Sequence, residues 1–277
     1  MTVRHLASFS IALLTVVGCN NVERDLVTAY AWSDDDTRHV YARSQWKFQM
    51  AALPDGRNRE EHNNARFTIL AQSPDGSNRV TLVPWRGGGA NVIYDMRQAG
   101  YVMARVDTGR YADNQEYTLF FDDGRIAKLD YFENNPYCGF YFAIPSPDGA
   151  TIAILKQVAP AGQAPERLGD PCPRDLESTI TFIDAASQDQ VDQVTYTAPQ
   201  GGAFQWDTRG YLVYENDGWK AWRGPGDVVS TPETNCYDPR TTSSYVSAAG
   251  VVVETGPDVE SQPLQIADWT RTGFGCE

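Results

Sequence analysis

The stretch Phe142-Ala143-Ile144-Pro145-Ser146-Pro147-Asp148-Gly149-Ala150-Thr151-Ile152-Ala153-Ile154-Leu155 decides the fold. Two apolar runs rich in isoleucine flank a turn. Proline presets its backbone, aspartate bonds the amides ahead of it, and glycine takes a positive φ. The stretch predicts strand, tight turn, strand. The same shape returns at Ile93-Tyr94-Asp95 leading through Gly100 into Tyr101-Val102-Met103, and at Phe204-Gln205-Trp206-Asp207-Thr208-Arg209-Gly210 leading into Tyr211-Leu212-Val213. It returns again at Tyr245-Val246-Ser247-Ala248-Ala249-Gly250 before Val251-Val252-Val253, and more weakly at Tyr30-Ala31-Trp32 before His39-Val40-Tyr41. Marking the residue before each second strand gives 39, 100, 149, 210 and 250, with intervals of 61, 49, 61 and 40 residues. Their average, about 53 residues, is close to the ~40 to 50 residues of a four-stranded repeat.

Between these units, runs of Val, Ile, Thr, Tyr, Phe and Trp are broken by Asp-Gly, Pro-Asp-Gly and Gly-Gly from residue 25 to the end, with no stretch of helical period. The class read from this is all-β. The turns Ser146-Pro147-Asp148-Gly149 and Ser73-Pro74-Asp75-Gly76 resemble those of TolB-like and WD40-like β-propellers. The first stands at the register mark, and the second is expected to join the outer two strands of the first repeat. The resemblance is architectural. It implies a five-bladed β-propeller of mainly four antiparallel strands per blade, with blades at 25–88, 89–135, 136–200, 201–235 and 236–277, and it transfers no functional residue. Paired β-sandwiches are the structural alternative. Gly87-Gly88-Gly89 has neither the lysine nor the following helix of a phosphate loop, so it reads as an interblade connection.

The start of the chain is of another kind. Arg4, the short apolar run Ile11-Ala12-Leu13-Leu14-Thr15-Val16-Val17, then Gly18 and Cys19 follow the order of a secretory signal peptide. The ending Gly18-Cys19 resembles the lipobox of bacterial lipoproteins. That resemblance implies cleavage after residue 18, acylation of Cys19 and anchoring in the cell envelope without a spanning helix. By resemblance to enterobacterial lipoproteins, Asn20 implies the outer rather than the inner membrane. The chain then divides into a signal peptide at 1–18, a tether at 19–24 and a propeller at 25–277. Asn20 to Asp25 reach no more than ~20 Å even fully extended, so the domain is expected close to the bilayer.

Five cysteines become an even set once Cys19 is acylated. In an exported protein Cys138, Cys172, Cys236 and Cys276 read as a disulfide framework. Cys138 and Cys236 stand shortly before the first strand of a blade, and Cys172 and Cys276 fall later in the same two blades. The expected pairs are Cys138 with Cys172 and Cys236 with Cys276, one of the three pairings that four cysteines permit.

Charge and chemistry narrow the function. Without Arg4 the exported chain keeps 22 basic against 36 acidic residues, a net charge of −14 that disfavours nucleic acid or anionic phospholipid as principal partner. Only His39 and His62 remain as histidines, and no Gly-x-Ser-x-Gly, Cys-x-x-Cys or His-x-x-x-His occurs, which argues against a triad hydrolase or a zinc enzyme. Asp34-Asp35-Asp36 and Asp122-Asp123 lack the alternating spacing of a calcium loop and read as turn formers. No cofactor, metal site or catalytic residue is expected. The function read here is a non-catalytic binding or scaffolding module for an envelope protein or glycan. The alternative is a glycan-binding or glycan-hydrolysing propeller with paired carboxylates at the channel mouth. Trp206, Trp219 and Trp222 would be its stacking platforms, against the competing reading that they pack between blades.

Overall fold

The computed structural model describes residues 22–33, 37–52, 58–73, 75–107, 115–129, 138–163, 171–202, 204–207, 209–232, 252–254 and 265–267. The first sheet takes β1 (Val22–Trp32), β2 (His39–Ala52), β3 (Asn58–Gln72) and β4 (Val80–Gly87) in sequence order. The second takes β5 (Gly89–Met96), β6 (Tyr101–Asp107), β7 (Gln115–Phe121) and β8 (Ile126–Leu129). The third is β9 (Gly139–Pro145), β10 (Thr151–Val158), β11 (Asp175–Asp184) and β12 (Gln190–Pro199). The fourth is β13 (Phe204–Trp206), β14 (Leu212–Glu215), β15 (Trp219–Gly224) and β16 (Asp227–Ser230). A fifth, β17 (Val252–Glu254) with β18 (Gln265–Ala267), has two strands among the described residues.

Every sheet is antiparallel and pairs consecutive strands only. A sandwich would exchange strands between sheets through Greek-key connections, so this arrangement is propeller-like. The second strands begin at 39, 101, 151 and 212, at or within two residues of the marks read from the repeat. Ser73–Ser77 forms the turn from β3 to β4. β1 begins at Val22, inside the segment read as tether.

The first strands β9 and β13 of the third and fourth sheets lie side by side and run the same way. Phe142 meets Phe204 edge-on with ring centroids 6.3 Å apart, and two residues further on the Trp206 indole N–H donates to the Ile144 carbonyl at 3.3 Å. Thr28, at a bulge in β1, donates its hydroxyl to the Ala90 carbonyl of β5. Between the second and third sheets, the Tyr101 hydroxyl donates to the Gly149 carbonyl at 2.9 Å. Gly149 has φ +72°, and a Cβ there would stand 2.6 Å from the Ala99 Cβ, so only glycine allows the two first-hairpin turns to approach this closely.

Strand alternation distributes the core. On β6, Val102, Ala104 and Val106 face the first sheet and join Val40, Ala42, Phe67 and Ile69. Tyr101 and Met103 face the other way and join Ile144, Ile152 and Ile154 of the third sheet. A sheet packed on both faces needs apolar residues in both registers, so Tyr101-Val102-Met103-Ala104 and Ile152-Ala153-Ile154-Leu155 are buried throughout. Cys138 and Cys172 are joined by a disulfide with Cα atoms 5.6 Å apart, which ties the entry of β9 to the segment before β11. Cys19, Cys236, Cys276, Gly18, Asp34-Asp35-Asp36 and the repeat at Tyr245–Gly250 lie outside the described residues.

Candidate functional site

The first hairpins are held by polar residues at the ends of their first strands. Ser146 donates its amide to Thr151 O at 2.7 Å, and its hydroxyl accepts the Thr151 amide at 2.9 Å. Asp207 does the same work in the fourth sheet: its buried Oδ1 accepts the amides of Arg209 and Tyr211, each at 2.9 Å. These turns are local consequences of Ser-Pro-Asp-Gly and Asp-Thr-Arg-Gly, in which a short oxygen-bearing side chain substitutes for a backbone acceptor.

Between these two turns lies a cleft of about 420 Å³ lined by Ser146, Asp148, Thr151, Trp206, Arg209, Trp222 and Arg223 among others. Its floor is aromatic. Trp222 stacks on Phe182 with centroids 3.9 Å apart and meets Trp206 edge-on at 6.0 Å. Trp206 and Trp222 are 1% and 5% exposed, so both pack between the third and fourth blades, and only their edges reach the cleft. Trp219 is half-buried at the start of β15. Interblade packing therefore accounts for Trp206 and Trp222, rather than the sugar-stacking role considered for them.

Two guanidiniums form the rim. Arg209 bonds the buried Asp207 carboxylate at 2.6 Å and lies 5.0 Å from the Tyr211 ring centroid, with 51% of its side chain exposed. Arg223, 40% exposed, is held by Asp227 at 2.9 Å across the β15–β16 hairpin. Each head is oriented by a partner on its own hairpin and still faces solvent. The carboxylates near them are engaged. Asp148 Oδ1 accepts the Ser146 hydroxyl at 2.5 Å and the Ala150 amide at 3.0 Å. Asp192 Oδ2 accepts the Trp222 indole N–H at 2.6 Å and the Gly226 amide at 3.0 Å. Burial works to raise the Asp192 pKa, but the hydrogen bonds from Trp222, Gly226 and Gln193 outweigh it and hold the carboxyl below its usual value. An acid that protonates a leaving group needs the opposite shift.

The histidines lie elsewhere. His39 opens β2 and is buried, and burial pushes its pKa down to about 4. His62 lies on β3 opposite Phe48. Asp123 forms a turn, its carboxylate accepting the Arg125 amide at 2.9 Å. Among the described residues, no group of three His, Cys, Asp or Glu is placed to hold a metal ion. Sequence reasoning had not singled out Arg209, Arg223 or Asp192. The signal for Arg209 was present in the Asp207-Thr208-Arg209-Gly210 turn. Arg223 carries none, because it meets the cleft only once two blades are packed, and Asp192 carries none because it reaches only Trp222 and Gly226 of the neighbouring blade.

The fold and cleft together define a propeller-like all-β protein with an arginine-rimmed interblade cleft. No family model matches the chain, and no curated protein matches it. Among solved structures, an acylaminoacyl peptidase from Pyrococcus horikoshii is similar at 11% identity and a TM-score of 0.44, over 76% of this chain and 33% of that one. The Dos1 propeller is similar at 9% identity and a TM-score of 0.38, over 75% and 59%. The WD40 β-propeller domain of Doa1 is similar at 13% identity and a TM-score of 0.24, over 76% and 84%. The chain thus spans about a third of the peptidase and under two thirds of the Dos1 chain.

Proposed function

We propose that this protein is an exported lipoprotein, anchored through Cys19 in the bacterial envelope and in the outer membrane by preference, that binds an envelope protein without catalysis. The observation that carries the binding role is the pair of exposed guanidiniums, Arg209 and Arg223, each positioned by an aspartate beside a tryptophan-floored cleft. A planar fork already held in place recognises a carboxylate bidentately with less ordering cost, and Trp and Arg at a cleft are the residue types that dominate protein interfaces. The partner chemistry that fits is an acidic side chain next to an apolar one, on an exposed segment of an envelope protein. The support for anchoring is the sequence Gly18-Cys19 behind a short apolar run.

The test is in-cell photocrosslinking from a probe placed at Thr151, with the captured species identified by mass spectrometry and the experiment repeated with Arg223→Glu. Arg223 is exposed, so reversal of its charge costs only its surface pair with Asp227, a fall of a few degrees at most in melting temperature, while adduct yield falls about tenfold, the effect of losing one charged hydrogen bond to the partner and gaining a repulsion. An adduct with one envelope protein that survives Arg223→Glu unchanged would sink the cleft as its site. Recovery of glycan in place of protein would favour the carbohydrate alternative.

A further inference from the structure

The last strand of each four-stranded sheet, β4, β8, β12 and β16, has a hydrogen-bonded neighbour on one side only among the described residues. Such an edge invites another chain to pair with it, and folded proteins blunt it with short strands, irregular register, proline or charged side chains. Three of the four are blunted. β8 and β16 are four residues long, and Lys128 stands on the first of them. β4 carries Pro84 and Arg86 and breaks register with β3 twice. β12 runs for ten residues, with its one register shift at the start beside Gln190 and its proline, Pro199, at the last position.

Hydrogen bonds fix which backbone groups of β12 face outward. Ala185 donates its amide to Ala150 O at 2.9 Å, continuing the β10–β11 ladder, and Asp184 donates to Asp189 O at 2.9 Å on the β12 side. Alternation along β11 then turns the backbone groups of Phe182, Ile180, Ser178 and Leu176 towards β12, where they face Asp192, Val194, Tyr196 and Ala198. The N–H and C=O groups of Gln193, Thr195 and Thr197 therefore point away from the sheet, and all three residues are exposed. The Asp192 carboxylate accepts the Gln193 amide at 2.8 Å, so Thr195 and Thr197 supply the donors of this edge, and all three residues supply acceptors.

We propose that β12 pairs antiparallel with β12 of a second copy of this chain, joining two third sheets about a two-fold axis at Thr195. Charge selects this occupant. The chain carries a net charge of −13, so two copies repel over most of their surface. On β12 the one charged residue is Asp192, and its carboxylate is turned to the Trp222 indole N–H and the Gly226 amide of the fourth sheet. The strand is also complementary to itself. A two-fold at Thr195 sets Thr195 opposite its own copy and Gln193 opposite the partner's Thr197 on the exposed face, and Val194 opposite the partner's Tyr196 on the other. Threonine pairs, and pairs of an aromatic with a β-branched residue, are favourable cross-strand neighbours. About four backbone hydrogen bonds join the copies, from the Thr195 and Thr197 amides of each to the Thr195 and Gln193 carbonyls of the other. One strand pair falls short of the ~1,200 Å² of a stable interface, so the dimer is reversible.

The test is sedimentation equilibrium of the full chain in density-matched detergent, with hydrogen exchange read at the Thr195 and Thr197 amides as concentration rises. Thr195→Lys places two ammonium groups face to face on the two-fold. Thr81→Lys, an equal change of charge at an exposed position of β4, is the control. Melting temperatures confirm that both variants fold. The expected result is a dimer with a dissociation constant of ~10 to 100 µM, weakened at least about tenfold by Thr195→Lys and unchanged by Thr81→Lys. In the parent protein the Thr195 and Thr197 amides should exchange at least about threefold more slowly at ~1 mM than at ~1 µM. A chain that stays monomeric up to ~1 mM, or a dimer whose formation leaves exchange at those amides unchanged, would overturn the pairing. So would a dimer that Thr195→Lys leaves intact or that Thr81→Lys weakens as strongly.

Discussion

His39 shows how a single residue can read one way in sequence and another in the fold. As one of three histidines in the whole sequence it is the natural place to look for a general base, yet it opens β2 inside the first sheet, and burial pushes its pKa down to about 4. The folded protein keeps the ring neutral, while the unfolded chain takes up a proton below about 6.5. Stability is therefore full above pH 6.5 and falls as pH drops toward 4, by up to ~3 kcal/mol. Thermal melts at pH 7 and pH 5 should show the loss in the parent protein, and His39→Gln should flatten it. An unchanged pH dependence in that variant would mean the titrating group lies elsewhere. Asp192 behaves in the opposite sense, remaining an anion at neutral pH through its bonds to Trp222 and Gly226.

At the scale of elements, turns and crosslinks set what each blade tolerates. Gly149 combines a positive φ with a neighbouring turn 2.6 Å from where a Cβ would sit, so Gly149→Ala should destabilise by about 2 to 4 kcal/mol, the sum of a left-handed backbone penalty and overpacking. Gly210→Ala makes a useful control: its φ is +80°, but nothing lies within 4 Å of an added Cβ, so denaturant titration should find only the backbone part of that loss, ~1 kcal/mol. The Cys138–Cys172 disulfide closes a separation of 34 residues, and the double change to alanine should cost ~3 to 4 kcal/mol on the chain-entropy account. Calorimetry of oxidised protein against that variant measures it directly, and equal melting temperatures would show that the bridge contributes no stability.

For the whole molecule, the question is how blades are coupled. Trp222 stacks on Phe182 of the third sheet, meets Trp206 edge-on and donates to Asp192, so one side chain of the fourth sheet makes apolar and polar contacts to the third. Trp222→Ala should remove ~3 to 5 kcal/mol, and Trp222→Phe a smaller share, because the stack survives while Asp192 loses its indole donor. Hydrogen exchange would separate local from shared damage. Protection should fall across β11 and β12 as well as β13 to β16 if the two blades unfold together, and only in the fourth sheet if they do not.

Much of this architecture was legible beforehand. The isoleucine runs around Ser146-Pro147-Asp148-Gly149, and their echoes at Gly100 and Gly210, determined the all-β class, the four-stranded repeat and the positions of the second strands, because turn chemistry and strand alternation are local. The signal peptide, the acylation of Cys19 and the anchor remain readings of sequence, as do Cys236 and Cys276. Tertiary structure alone decided which residues meet. Arg209 and Arg223 sit on two hairpins of the fourth sheet, and they rim a cleft only where that sheet packs against Ser146, Asp148 and Thr151 of the third. Pairing within a hairpin is encoded by neighbours in the chain, whereas contacts between blades arise from the summed burial of distant strands, for which no local pattern exists.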